Sequence, residues 1–282
     1  MKRIDLHIHT TASDGTMTPS EVVSEAMKLH LSAIAITDHD TVSGISEAVE
    51  AAGNHLEIVP GIEFSTKYHG PVHILGYFVD PQNDTLLTLL DTIVRDRDVR
   101  NEQIISAMQK DGIDIDYATM KARFGEVIGR PHLATILVEN GIASDVRDAF
   151  SNYVGKGMRY WFPRTTVPME DCIRTVLEAG GIPVLAHPFE YDYSEKSLCE
   201  LIELCISFGL EGIECRHSSH TPGQMMYLEQ LAAEYGLLKT GGSDFHGTVK
   251  KNIQLGTGSG LVSVPDSWLE ALKKAQKIRG VS

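Results

Sequence analysis

The sequence predicts an α/β protein, a β/α barrel interrupted by a helical insertion. Three observations carry that reading. Short apolar runs recur along the chain, each ending in His, Asp or Glu. Stretches with helical periodicity separate them. A central stretch, about 82–165, has helix and loop character without a convincing strand. A β/α barrel gathers its chemistry at the C-terminal ends of its strands, so ligand-type residues at strand ends are what such a site needs.

Arg3 to Thr10 alternates and carries β-branched residues, so it reads as the first strand. Residues i and i+2 of a strand share a side, so His7 and His9 project together towards one metal ion. Such a pair also occurs on ordinary surface strands, and by itself it leaves both readings open. Asp14 follows in the next loop. Thr18, Pro19 and Glu21 form a helix start, with Thr18 as N-cap, and that helix runs to about Leu29. Ala33 to Thr37 is a strand leading to Asp38, His39 and Asp40, and a helix is expected from about Val42 to Ala52.

Ile58 to Ile62 then leads to Glu63, and Pro71-Val72 leads to His73. Asn83 to about Lys110 reads as one long helix, ended near Asp111-Gly112. After the insertion, Val167 to Ala179 is a helix. Ile182 to Ala186 leads to His187, Gly212 to Cys215 leads to His217 and His220, and Leu237 to Gly242 leads to Asp244 and His246. Any one of these is compatible with an ordinary polar strand end; their recurrence is not. The expected division is 1–81 for the first part of the barrel, 82–165 for an insertion covering the site, and 166–282 for the second part.

Composition narrows the class. The chain is 42% hydrophobic and 22% charged, ordinary for a soluble globular protein. No apolar run approaches the ~20 residues of a membrane span, and the start lacks a signal-peptide pattern, so a cytoplasmic protein with no membrane partner is expected. Cys172, Cys199, Cys205 and Cys215 form no Cys-x-x-Cys pair and read as reduced core thiols. The formal charge is −13, which argues against long duplex nucleic acid and leaves small anions or short nucleic-acid ends as partners.

The insertion holds its own signal. Arg130, Pro131 and His132 stand at a loop-to-helix junction, where a helix N-terminus favours phosphate. A solvated Arg with a capping His is the alternative. Lys156, Arg159 and Arg164 make a second small basic cluster, with an exposed loop as its plainer reading. His30, His55 and His69 read as surface residues.

Together these residues resemble the polymerase and histidinol phosphatase (PHP) phosphoesterases. The matching motifs are Asp5-Leu6-His7-Ile8-His9, Asp14-Gly15, Thr37-Asp38-His39-Asp40, Gly61-Ile62-Glu63, His73, Ala186-His187-Pro188 and Gly242-Ser243-Asp244-Phe245-His246. The Gly-Arg-Pro-His segment and the insertion further resemble the branch containing nucleoside 3′,5′-bisphosphate phosphatases and a 5′-to-3′ exonuclease of short RNA. The resemblance implies a distorted (β/α)7 barrel with three divalent metal ions, Mn, Zn or Fe. It implies that His7, His9, Glu63 and Asp244 hold one ion. Glu63 would bridge to a second ion held by His73 and His187, and Asp14, His39 and His246 would hold a third. Arg130 and His132 match the segment contacting substrate phosphate; Lys156 and His217 are further candidates for substrate.

The implied reaction is phosphate ester hydrolysis on a nucleotide or short RNA, with a metal-bound hydroxide attacking phosphorus. Arg130 would stabilise the developing charge. His217, His132 or a metal-bound water would protonate the leaving group, and Asp38 would orient a ligand histidine. The competing readings are a phosphatase of another small phosphate such as histidinol phosphate, a catalytically silent metal-binding module, and a C–N hydrolase.

Overall fold

The computed structural model describes residues 3–125, 127–163 and 166–279. The first part of the chain forms β1 (Arg3–Asp5), α1 (Pro19–Lys28), β2 (Leu31–Ile36), α2 (Gly44–Ala52), β3 (Glu57–Lys67) and β4 (Pro71–Tyr77). Helices follow: α3 (Asp84–Lys110), α4 (Tyr117–Phe124), α5 (Arg130–Glu139), α6 (Val146–Ala149) and a π-helical turn at Phe150–Val154. The alternation then resumes with α7 (Met169–Glu178), β5 (Ile182–Leu185), α8 (Glu195–Phe208), β6 (Gly212–His217), α9 (Pro222–Tyr235), β7 (Leu238–Gly242), β8 (Val264–Pro265) and α10 (Asp266–Arg279).

All eight strands share one sheet, ordered β7-β6-β5-β4-β3-β2-β1-β8. The sheet curls until its ends meet. Leu6 N–H donates to Gly241 O at 3.2 Å, Asp244 N–H to His7 O at 2.9 Å, and His9 N–H to Phe245 O at 2.9 Å. The expected α/β barrel is present, and its distortion has a definite origin. Because β3 and β4 are joined by a tight turn at Tyr68–Gly70, β4 runs antiparallel to both β3 and β5. Its N-terminal end therefore lies at the rim where the parallel strands end. This is why His73 sits near the start of its strand while Glu63 sits well along β3.

The first strand differs from the expectation. Its ladder stops at Asp5 instead of reaching Thr10, since the following residues turn to pair with the segment beyond β7. His7 and His9 are nevertheless both fully buried, with ring centroids 5.2 Å apart. Helix α1 starts as expected. Thr18 Oγ1 accepts from Glu21 N–H, and the Glu21 carboxylate accepts from Thr18 N–H, a reciprocal cap worth about 1 kcal/mol.

Helix α3 serves two cores. Leu86, Leu90 and Ile93 pack with Ile62, Phe64, Val176 and Leu201 of the barrel. Further along, Ile104, Ile105 and Met108 pack with Ile115, Leu133, Leu137 and Val154 of the insertion. At 27 residues the helix is long enough, ~40 Å, to reach from one to the other. Among the described residues no helix is long and apolar enough to cross a membrane. Cys172, Cys205 and Cys215 are buried, and all four cysteines are unbridged.

Candidate metal centre

Glu63 is the centre of the site. Its Oε2 lies 2.9 Å from His39 Nδ1, 3.2 Å from His9 Nε2 and 3.4 Å from His7 Nε2. Its Oε1 lies 2.9 Å from His73 Nδ1 and 2.8 Å from His187 Nε2. One buried carboxylate is thus shared between two sets of imidazoles. Asp244 stands opposite, with Oδ1 3.3 Å from His9 Nε2, 3.6 Å from His7 Nε2 and 3.4 Å from His246 Nδ1. Asp14 Oδ1 is 3.3 Å from His246 Nε2, and the His9 and His246 rings stack at 4.1 Å.

All nine expected ligand residues therefore meet in one pocket. They come from the ends of β2, β5 and β7, the continuation of β1, mid-β3 and the start of β4. His187, Asp244 and Asp40 carry positive φ angles of 23°, 56° and 54°, so the chain turns sharply just where it leaves a strand and presents a side chain. Ligand atoms fall into overlapping groups: His9, Asp14, His39 and His246; His7, His9 and Glu63; His39, Glu63 and His73; and His7, His217 and Asp244.

The donor set fits divalent ions. His7 Nε2, His9 Nε2, His39 Nδ1, Glu63 Oε2 and His217 Nε2 are buried without a hydrogen-bond partner. So many orphaned polar atoms facing one another need a ligand to offset their desolvation. Imidazole and carboxylate donors suit Zn, Mn and Fe. The charges agree. Burial alone would raise the Glu63 carboxyl, but His39, His73 and His7 hold it well below the ordinary carboxylate range. Asp244 behaves likewise, through Lys250, His246 and His7. Burial opposes a charge on His39, yet Glu63 and Asp14 outweigh it and push its pKa up to about 9.

The description "PHP domain" matches residues 5–154. This chain belongs to the PHP domain family. It is 34% identical over 247 residues to a 5′-3′ exoribonuclease of Haemophilus influenzae, covering 87% of this chain and 90% of that protein. It is 34% identical over 250 residues to a 3′,5′-nucleoside bisphosphate phosphatase of Chromobacterium violaceum, covering 87% and 88%. A solved structure of a metal-dependent phosphoesterase from Bifidobacterium adolescentis superposes with a TM-score of 0.85 at 32% identity, covering 96% of this chain and 95% of that one.

Around the PHP cluster stand residues that orient it. Glu214, fully buried, places Oε1 3.0 Å from His7 Nδ1 and accepts the His187 backbone N–H on Oε2 at 2.8 Å. Burial would raise its carboxyl, but His7 and His217 bring it down to about 2. Sequence reasoning missed Glu214; the signal was a lone acid inside the apolar strand Ile213-Glu214-Cys215. Asp5 accepts from the backbone N–H groups of Ser243 and Gly256 at 2.8 and 2.7 Å, clamping β1 to the β7 end and the 254–258 turn. Asp38 differs from the expectation. It accepts from Thr10 N–H, Thr10 Oγ1 and Ser13 Oγ at 2.7, 2.7 and 2.6 Å, so it shapes the loop carrying Asp14 and reaches His9 only through Ser13.

The expected substrate residues separate. Arg130 is the first residue of α5, partly buried, with its guanidinium 6.0 Å from the Phe150 ring. His132 is buried and stacked on Phe124 at 4.8 Å, and its Nδ1 accepts Gly129 N–H at 3.0 Å. Burial and then Arg97 lower its pKa, outweighing the pull of Asp14. Nδ1 is thus spent on the start of α5, so a phosphate contact or proton transfer by His132 would fall to Nε2. It is the capping histidine.

Lys156 is exposed on the turn after Val154, and Arg159 is exposed and paired with Asp111; Arg164 lies outside the described residues. His217 is buried with Nε2 3.2 Å from Asp244 Oδ2, and so stands among the ligands rather than beyond them. His30, His55 and His69 are exposed, as expected.

Proposed function

We propose that this chain is a metal-dependent phosphoesterase that hydrolyses nucleotide phosphates, either 3′,5′-bisphosphates or the 5′-phosphorylated ends of short RNA. The observation that carries the reading is Glu63, whose two oxygens divide five imidazoles between them inside a pocket ringed by Asp14 and Asp244. That arrangement suits three divalent ions, more than a single structural ion would need.

In this reading His7, His9, Glu63 and Asp244 hold the first ion. Glu63, His73 and His187 hold the second, and Asp14, His39 and His246 hold the third. Bound ions of this kind supply Lewis acidity towards a phosphoryl group and make water a nucleophile near neutral pH. The protein groups do the rest. Glu63 presents one oxygen to His7, His9 and His39 and the other to His73 and His187. Glu214 sets His7 so that Nε2 faces the cluster. His217 and Lys250 grip the outer oxygen of Asp244, leaving Oδ1 to face His7, His9 and His246. Arg130 opens the helix that His132 caps, and its guanidinium fork suits a substrate phosphate.

The relatives named as a 3′,5′-nucleoside bisphosphate phosphatase and a 5′-3′ exoribonuclease support the substrate class, since both activities break a phosphate ester at a ribose. The test is product analysis by chromatography on Mn-loaded protein. The substrates are adenosine 3′,5′-bisphosphate, a 5′-phosphorylated short RNA and histidinol phosphate. Phosphate from the bisphosphate or mononucleotides from the RNA is the expected result. Turnover of histidinol phosphate alone, or of none, overturns the nucleotide reading.

A further inference from the structure

The segment beyond β7 does more than supply Asp244 and His246. It continues as a tight turn, Gly247–Lys250, that folds back on the cluster. Gly247 has a φ of 66°, and a Cβ there would fall on Thr16 Oγ1. That hydroxyl accepts Thr248 N–H at 2.9 Å, and Thr16 N–H donates to His246 O at 3.2 Å. Past the turn, Ile253 N–H donates to Lys250 O at 2.9 Å. Lys250 is thus mounted on a turn pinned to the loop that carries Asp14.

Its side chain pairs with Asp244 Oδ2. The same oxygen lies 3.2 Å from His217 Nε2, while Oδ1 faces His9, His246 and His7 at 3.3, 3.4 and 3.6 Å. One carboxylate therefore separates the ammonium from the cluster. The Lys250 side chain is 38% exposed against 7% for Asp244, so it spans from the buried ligands to solvent. An ammonium carries three N–H donors. Among the described residues Asp244 is the acceptor bonded to it, which leaves two donors for water or a ligand. Glu190, a further acid on this part of the rim, is turned to imidazoles: Oε2 lies 3.4 Å from His187 Nδ1, and Oε1 3.9 Å from His217 Nδ1.

The single charge of Asp244 cannot balance both the ammonium at Oδ2 and a divalent ion at Oδ1. With ions bound, Lys250 is a surplus cation beside a like charge, in a site where burial strengthens the repulsion. An anion arriving from solvent relieves it. We propose that Lys250 is a substrate-binding residue: it keeps one N–H on Asp244 Oδ2 and donates another to a phosphoryl oxygen of the substrate. The inference rests on the phosphoesterase reading above and adds to it a cation from the β7 side of the pocket. A compact ammonium serves as a point charge there, where Asp244 takes one donor and phosphate the next. Ion binding does not need it, because His217 stays beside Oδ2 when Lys250 is replaced.

The experiment titrates inorganic phosphate into Mn-loaded protein by calorimetry and counts ions per chain by elemental analysis. It compares wild type with Lys250→Met, which keeps the length of the stem and removes the charge, and with Lys250→Arg. Lys250→Gln stands in if the Met variant does not fold. The expected result is an unchanged ion count in every variant. Phosphate affinity should fall about tenfold or more in the neutral variant and recover at least partly in Lys250→Arg. Equal phosphate affinity in wild type and the neutral variant overturns this inference alone. So does a loss of ions in the neutral variant, which would make Lys250 a support for Asp244 only. A wild type that holds its ions and binds no phosphate overturns the phosphoesterase reading and this inference together.

Discussion

His7 Nδ1 lies 3.0 Å from Glu214 Oε1, with both side chains fully buried. That contact decides which nitrogen of His7 faces the cluster. With Nδ1–H donated to the carboxylate, Nε2 carries the lone pair towards Glu63 and Asp244. Glu214 also accepts the His187 backbone N–H, so one acid orients ligands of two positions. Glu214→Gln leaves one acceptor oxygen for two donors. Metal affinity should fall roughly 10–100-fold, with the fold retained. Chelator competition measures it, and an unchanged affinity would remove Glu214 from the account.

Gly242 faces a different constraint. A Cβ there would lie 2.3 Å from His7 N and 2.8 Å from His7 Cα, since β7 and the continuation of β1 close the barrel at this point. The obstacle is backbone, which cannot rotate aside. Gly242→Ala should lower stability by about 2–4 kcal/mol and weaken metal binding, because His7 moves with its backbone. Denaturant unfolding and ion counting report the two effects separately.

Much of this site was legible in the chain because strand-end chemistry leaves a local signature: an apolar run followed by His, Asp or Glu. His187, Asp244 and His246 follow that rule, and Thr18 with Glu21 announces α1 just as locally. What was not legible depends on partners distant in sequence. The reversal of β4 follows from its hairpin with β3. Glu214 gains its meaning only when β6 lies beside His7, 207 residues away. His132 reads as a phosphate contact, and only the fold shows that its Nδ1 is spent on Gly129 N–H. β1 reads as a strand to Thr10 because alternation cannot reveal where its partner changes.

Arg130 and Lys156 separate in expected effect. Arg130→Ala should raise KM for a nucleotide bisphosphate ~10-fold or more, with a smaller loss in kcat, because a fork that binds phosphate in ground and transition states alike acts mainly on KM. Lys156→Ala, altering an exposed side chain, should change kcat/KM by less than about twofold. Steady-state kinetics on the two variants side by side checks both; equal effects would contradict the placement.

His220 gives a pH dependence with a defined sign. It is buried, with Nδ1 3.3 Å from Cys215 O, and burial followed by the neighbouring His217 brings its pKa down to about 4 despite the opposing pull of Glu214. The unfolded chain, with an ordinary histidine pKa near 6.5, takes up the proton first as pH falls. Stability from this group is therefore complete above about pH 6.5 and is lost on acidification towards about pH 4, by up to the order of 3 kcal/mol. His220→Gln should flatten that part of the stability profile relative to wild type. Parallel profiles would contradict the assignment.

The central claim is that this cluster cleaves a phosphate ester at phosphorus with water as the nucleophile. Hydrolysis of adenosine 3′,5′-bisphosphate in 18O-water, read by mass spectrometry with His9→Ala as the inactive reference, tests it most directly. The account predicts the label in the released phosphate, an unlabelled ribose hydroxyl, and no release by His9→Ala. Label in the nucleoside, or full turnover by His9→Ala, would contradict it.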